Sequence, residues 1–178
     1  MQKPEVKGLM FIETYNFIQK KWGSEGLKKF GLDPGTHRSE VWYPFEEFCE
    51  LLERTVRHSG KGEMLPYHIG IWTVVVDPRW NGVFAGKDPK EVLGGTKHQS
   101  KVYRVGDVKD TVVEDGRIRI FYDLWNRDPA HTEVWSEFYR GRLKGILDLT
   151  GKKGEVQKSI DPLSAQRTIT YDIRWQLR

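Results

Sequence analysis

Apolar residues return at helical spacing between Asp128 and Gly151. Trp135, Phe138, Tyr139, Leu143, Ile146 and Leu147 fall on one side, and Glu137, Arg140, Lys144 and Asp148 on the other. Asp128 can cap the first free N–H groups, Pro129 suits the first helical position, and Gly151 is a stop. The pattern predicts one long helix over 128–151. Gly141 and Gly145 lie four apart inside it. Because glycine costs a helix interior about 1 kcal/mol relative to alanine, the pair predicts a close backbone approach, which this reading directs at a sheet.

The periodicity changes to two on either side of that helix. Ile118, Ile120, Tyr122 and Leu124 share a face in Arg117–Leu124, and Asp115-Gly116 is a tight turn joining this strand to Thr111–Val113. Ile169, Tyr171, Ile173, Trp175 and Leu177 alternate in a final strand, and a shorter one spans Glu155–Ile160. Two strands, a long helix and two more strands predict an antiparallel sheet with the helix on one face.

The first half reads as helical. A helix with Leu9, Ile12, Tyr15 and Ile18 on one side ends at Gly23, and Ser24 caps a second, brief helix through Phe30. Residues 32–43 form a loop with a turn at Asp33-Pro34-Gly35. Pro44 opens a helix whose face is Phe45, Phe48, Cys49, Leu52 and Val56. Met64 to Val76 fits either a helix started by Pro66 or a buried strand, and the helix is favoured. Asp77-Pro78 and Asp88-Pro89 start short helices, the second ending at Gly94-Gly95, and Thr96 to Lys109 reads as extended chain. The expected fold class is α+β, a single domain over residues 1–178.

Composition narrows the function classes. The 178 residues are 38% hydrophobic and 30% charged, with no apolar run near the roughly 20 residues of a membrane span. The N-terminus lacks the apolar stretch of a signal peptide, so a cytoplasmic location is expected. The net charge is +4, but Lys and Arg interleave with Asp and Glu, so no nucleic-acid surface is expected. Cys49 is the only cysteine, which rules out an internal disulfide; on an apolar helix face it reads as a core residue. The histidines, at 37, 58, 68, 98 and 131, show no metal-binding spacing, and there is no nucleophile elbow, phosphate loop or dinucleotide fingerprint. The expectation is a protein without enzymatic activity and without a metal.

Seven tryptophans and seven tyrosines remain to be explained. Such residues can line an apolar ligand pocket or fill a core. Tyr67, His68 and Trp72 form one candidate lining, in a gap between the sheet's end and the first-half helices; Trp135 and Phe138, accommodated with Tyr139 toward one end of the long helix, are further candidate ligand-binding residues. His68 has two readings, a ring that ligates a cofactor or titrates as a switch near neutral pH, and a partly buried ring with a backbone hydrogen-bond partner.

The order of these signals carries a resemblance. Lys7-Gly8 leading into a helix, the hairpin at Asp115-Gly116, Tyr122, the segment Phe138 to Gly145 and the closing Tyr171 to Trp175 strand resemble the ligand-binding fold shared by heme nitric-oxide/oxygen-binding (H-NOX) domains, vinyl-reductase-type small-molecule-binding domains and Bet3-like trafficking subunits. The closest likeness is to stand-alone bacterial relatives of that group. The resemblance implies a binding module with Tyr122 at the ligand. Its heme branch implies a helical histidine before the hairpin and a Tyr-x-Ser-x-Arg motif holding the propionates. Here Tyr122 is followed by Leu124 and Asn126, with Arg127 one place late, and Asp88–Gly94 has no histidine. Heme is therefore disfavoured and no cofactor is expected. The vinyl-reductase branch often carries a cysteine cluster, which one cysteine cannot form. The expected function is a sensory or regulatory module for a small apolar or aromatic molecule. The alternative is an interaction or dimerisation subunit with a filled core, and the third a diverged heme gas sensor. A homodimer or protein partner is expected in either of the first two cases.

Overall fold

The computed structural model describes residues 3–60, 62, 64–94, 101–125, 128–161 and 168–177. In chain order the elements are β1 (Glu5–Lys7), α1 (Gly8–Lys29), β2 (Trp42–Pro44), α2 (Phe45–Ser59), α3 (Leu65–Val75), α4 (Pro78–Phe84) and α5 (Pro89–Leu93), then β3 (Tyr103–Arg104), β4 (Gly106–Glu114), β5 (Arg117–Leu124), α6 (Pro129–Leu149), β6 (Gly154–Ile160) and β7 (Thr168–Trp175). The α+β reading is borne out.

Asp128 accepts hydrogen bonds from the backbone N–H groups of Ala130 and His131, and α6 begins at Pro129. This side-chain cap contributes about 1 kcal/mol. The four strands β4-β5-β7-β6 lie in that order, all antiparallel, with β4 and β5 meeting at Glu114 and Arg117 around the Asp115-Gly116 turn. One face of this sheet presents Ile118, Ile120, Tyr122, Leu124, Ile169, Tyr171 and Ile173, all buried under α6. Tyr139 of α6 sits 5.5 Å from the Tyr122 ring and 5.0 Å from the Tyr171 ring. β7 ends at Trp175, and Leu177, read as part of its alternation, is 63% exposed.

The two glycines of α6 face α3, not the sheet. A Cβ on Gly141 would run into the Tyr67 carbonyl, and one on Gly145 would lie 3.0 Å from the Val74 Cβ and 3.1 Å from the Ile71 carbonyl oxygen. α3 reciprocates with Gly70, where a Cβ would strike the Phe138 carbonyl. Two backbones in contact through small residues explain why glycine is kept inside a helix despite its cost. The opposite flank of α6 packs bulky aromatics against the sheet and α2, with Trp135 between Phe45 at 5.3 Å and Tyr103 at 5.1 Å, and Phe138 against Phe48 at 5.1 Å.

Residues 42 and 43, read as loop, form β2 together with Pro44, read as the opening of a helix. With β1 and β3 it makes a small sheet of order β2-β1-β3 that clasps the start of α1. Pro44 accordingly ends a strand and precedes α2, which begins at Phe45. α1 continues through Lys29 with one break at Gly23, where φ is 67°. The two helices read from the sequence are thus both present, meeting at a kink where Gly23 leaves helical geometry. The helix favoured over 64–76 is α3. Gly95 and residues 96–100 lie outside the described residues.

Candidate functional site

α3 has apolar side chains around its whole circumference. Leu65, Ile69 and Val74 point inward, while Ile71 and Trp72 are only partly buried, Val75 is 43% exposed and Val76, which follows the helix, is 50% exposed. A helix apolar on every side is ordinarily covered on every side. Here the outer side borders a groove of about 730 Å³ against α1, lined by Phe17, Lys21, Trp22, Leu65, His68, Ile71, Trp72, Val75 and Val76. That volume is of ligand-pocket size. The floor is aromatic, with the Trp72 ring edge-on to Phe17 at 5.7 Å and Trp22 held between Phe17 at 6.1 Å and Phe30 at 5.5 Å. Leu9 to Asn16 of α1 face the Trp72–Asp77 end of α3 while Phe17, Lys21 and Trp22 face the stretch reaching back to Leu65, so the helices run antiparallel and Lys21 falls toward the His68 end, next to the bend at Gly23.

Next to the groove, sharing Trp72 and Val76 with it, lies a cavity of about 270 Å³ bordered by Leu9, Ile12, Glu13, Asn16, Thr73, Asp77, Pro78 and Arg79. Both Glu13 carboxyl oxygens are buried and accept no hydrogen bond; the nearest cation, Arg79 Nη2, stands 3.6 Å away. Burial raises the Glu13 pKa to about 8, reinforced by a shared hydrogen bond with Asp77 and opposed chiefly by the Arg142 charge. A neutral acid donating toward Asp77 resolves the two unpaired oxygens. Burial alone would raise Asp77, but its hydrogen bonds from Arg79 prevail and hold it below the usual carboxylate range. Asp77 also caps α4 through the Arg79 N–H. Arg142 of α6, buried on the inner side, donates from Nη1 to Thr73 Oγ1 at 2.8 Å.

Of the residues expected from sequence to line a site, His68 and Trp72 border the groove. Tyr67 lies on the other flank of α3, beneath the Arg140 guanidinium at 4.4 Å, with its carbonyl against Gly141. Tyr122, Trp135 and Phe138 are 4%, 0% and 0% exposed in the core. The six residues therefore do not surround one space. The expected gap at the sheet's end gives way to a groove between α1 and α3, because the glycines draw α6 to α3. Phe17, Lys21, Trp22 and Glu13 were missed. Each belongs to α1, whose apolar residues run nearly all round, so its periodicity does not mark a second face.

No family model matches the chain, and no curated protein does. The likeness is to solved structures. An H-NOX protein from K. algicida, Fe(II) unliganded, superposes with a TM-score of 0.72 at 15% identity, covering 97% of each chain. An H-NOX protein from S. oneidensis in the Fe(II)NO ligation state gives 0.69 at 13% identity, covering 96% of this chain and 99% of that one. The chain has the H-NOX fold. An oxygen-binding H-NOX domain related to soluble guanylate cyclases gives 0.66 at 13% identity over 96% and 95% of the two chains. Identities this low carry the architecture only.

The H-NOX fold implies heme, and the residues present do not fit it. On the inner face of α6, Trp135, Phe138, Tyr139, Tyr171 and Tyr103 fill the interior, each no more than 4% exposed. Leu124, standing where the propionate motif has serine, is 1% exposed; Asn126 and Arg127 lie outside the described residues. Trp135 Nε1 and Arg142 Nε are buried donors without a partner, but Arg142 is already turned through Nη1 to Thr73 and Met10, and one guanidinium edge with one neutral N–H does not supply the charged donors that two carboxylates require. The tyrosine hydroxyls face the same low dielectric: burial pushes Tyr103 up to about 12 and Tyr122, Tyr139 and Tyr171 well above their usual range. Among the described histidines, His37 is stacked on Phe11 at 3.9 Å and bonded to Tyr15 and Glu47 at 2.9 Å, His58 and His68 are exposed, and His131 lies in the first turn of α6. His98 lies outside the described residues. Among those residues no group of three or more His, Cys, Asp or Glu could hold a metal, and no helix is long and apolar enough to cross a membrane.

Proposed function

We propose that this protein is a non-enzymatic sensory or regulatory module of the H-NOX fold that takes a small apolar or aromatic molecule in the groove between α1 and α3. The observation that carries this reading is the groove itself: about 730 Å³ floored by Phe17, Trp22, Ile71, Trp72, Val75 and Val76. Burying apolar surface there yields about 25 cal/mol per Å², and an aromatic guest gains further from edge contacts with Trp72. The likeness to proteins described by their Fe(II), nitric-oxide and oxygen states supports a sensor. With the interior filled, the ligand moves from the centre of the fold to its flank.

The test is titration with the neutral fluorophore N-phenylnaphthylamine, following its blue-shifted emission and energy transfer from tryptophan. One saturable site, weakened at least about fivefold by Trp72→Ala in a folded variant, supports the reading. No saturable binding by the parent overturns it. Action in the cytoplasm and through a two-fold dimer belongs to the same proposal; sedimentation showing only monomer at micromolar concentration removes the dimer.

The interaction-subunit reading keeps one specific support: Val75 and Val76, within the groove, are open to solvent, as they would be on a surface that a partner covers.

A further inference from the structure

We infer that the ligand of the α1–α3 groove is a free single-chain amphiphile with a carboxylate head, its head held by Lys21 and His68 and its tail laid along α3 past Trp72. This rests on the groove reading above and adds the ligand's charge, direction and shape.

Charge comes first. Of the nine residues around the groove, seven are apolar, and the two others are Lys21 and His68, both exposed. No acidic residue borders it. Among the described residues Lys21 pairs with no carboxylate, and the His68 ring stands 5.6 Å from the Tyr67 ring with no side-chain hydrogen bond. The only polar side chains on the groove are thus two N–H donors with no acid beside them, which is the complement of an anionic head.

Direction and shape follow from the antiparallel helices. From Leu65 to Val75 the 11 residues of α3 span about 16 Å, the reach of a medium-length alkyl chain. Beyond Trp72 the lining is mixed, with Leu9, Ile12 and Pro78 beside Glu13, Asp77 and Arg79, and it carries no unpaired cation. There Asp77 is neutralised by Arg79 at 2.6 Å, and the neighbouring Glu13 is held as a neutral acid. A second anionic head gains nothing at that end. A monoanion with one polar terminus fits, and a dianion with charges at both ends does not. The bend at Gly23 closes the first part of α1 one residue after Trp22, so the head stays at the solvent edge, where a partly hydrated carboxylate avoids the cost of full burial.

The experiment uses the full chain and competition against N-phenylnaphthylamine with dodecanoate, dodecanol and dodecanedioate, repeated for Lys21→Met and His68→Gln. The expected result is that dodecanoate displaces the probe at least about fivefold more tightly than dodecanol, and that each substitution removes most of that preference while leaving dodecanol unchanged. The diacid is expected to be the weaker acid. Equal affinity of acid and alcohol, or an acid preference that survives both substitutions, overturns the inference and leaves the apolar groove standing. Failure of the probe itself to bind overturns the groove reading along with it. Co-sedimentation with phosphatidylglycerol vesicles, in the absence of displacement by free dodecanoate, would assign the groove to a lipid surface and also refute the inference.

Discussion

Replacing Glu13 by Gln tests the buried acid beside the groove. The carboxyl pKa lies at about 8 in the folded protein, against 4.5 for the free side chain, mainly because burial penalises the charge. Between those values the folded chain holds a proton that the unfolded chain has released, so stability is fully present below pH 4.5 and is lost as pH rises through 8. At 1.36 kcal/mol per pKa unit the loss amounts to about 4–5 kcal/mol. A glutamine keeps the size and can donate its amide toward Asp77, yet it does not titrate. Urea unfolding at pH 5 and pH 8.5 is therefore expected to show the parent losing about 4 kcal/mol more than Glu13→Gln over that interval, with Arg79 and Arg142 retained in both. The difference between the two proteins, not either curve alone, removes the contribution of the other titrating groups. Parallel curves, within about 1 kcal/mol, would show that Glu13 is ionised in the fold and that the two unpaired oxygens are satisfied in another way.

Phe138→Ala empties a fully buried site ringed by Phe48 and Trp135 and should cost about 3–5 kcal/mol by denaturant unfolding; a loss below about 1 kcal/mol would contradict its place in the core. Gly141→Leu would drive a side chain into the Tyr67 carbonyl and should abolish cooperative unfolding by separating α3 from α6; an unchanged midpoint would contradict that contact. Heme added to the purified protein should give no stoichiometric Soret band, and a saturable one-to-one spectrum lost on His68→Gln would restore the gas-sensor reading.

Much of the architecture is written locally. Asp128-Pro129 announces the start of α6, Asp115-Gly116 the hairpin, and alternation from Ile118 to Leu124 the buried face of β5, because caps, turns and period-two faces are each set by a few neighbouring residues. β2 has no such signature: three residues are too few for alternation, and they become a strand only because β1 lies beside them. The orientation of Gly141 is similarly hidden, since its significance depends on Gly70, far away in sequence. The site was legible only in part. His68 and Trp72 share a turn of α3, whereas the α1 side of the groove comes from a helix whose apolar residues serve core and groove alike. Arg142 stands on the buried side of α6 because Thr73 receives it, a pairing that sequence spacing does not encode.

The central claim is that ligand binding in this chain has left the centre of the H-NOX fold for its flank. Methyl chemical shifts followed during titration with N-phenylnaphthylamine locate the bound molecule directly. The account predicts saturating shifts at Ile71 and Val75, on the groove, with Ile120, Ile169 and Ile173, buried beneath α6, unmoved. Shifts concentrated at those three isoleucines, with Ile71 and Val75 silent, would place the ligand between helix and sheet and contradict it.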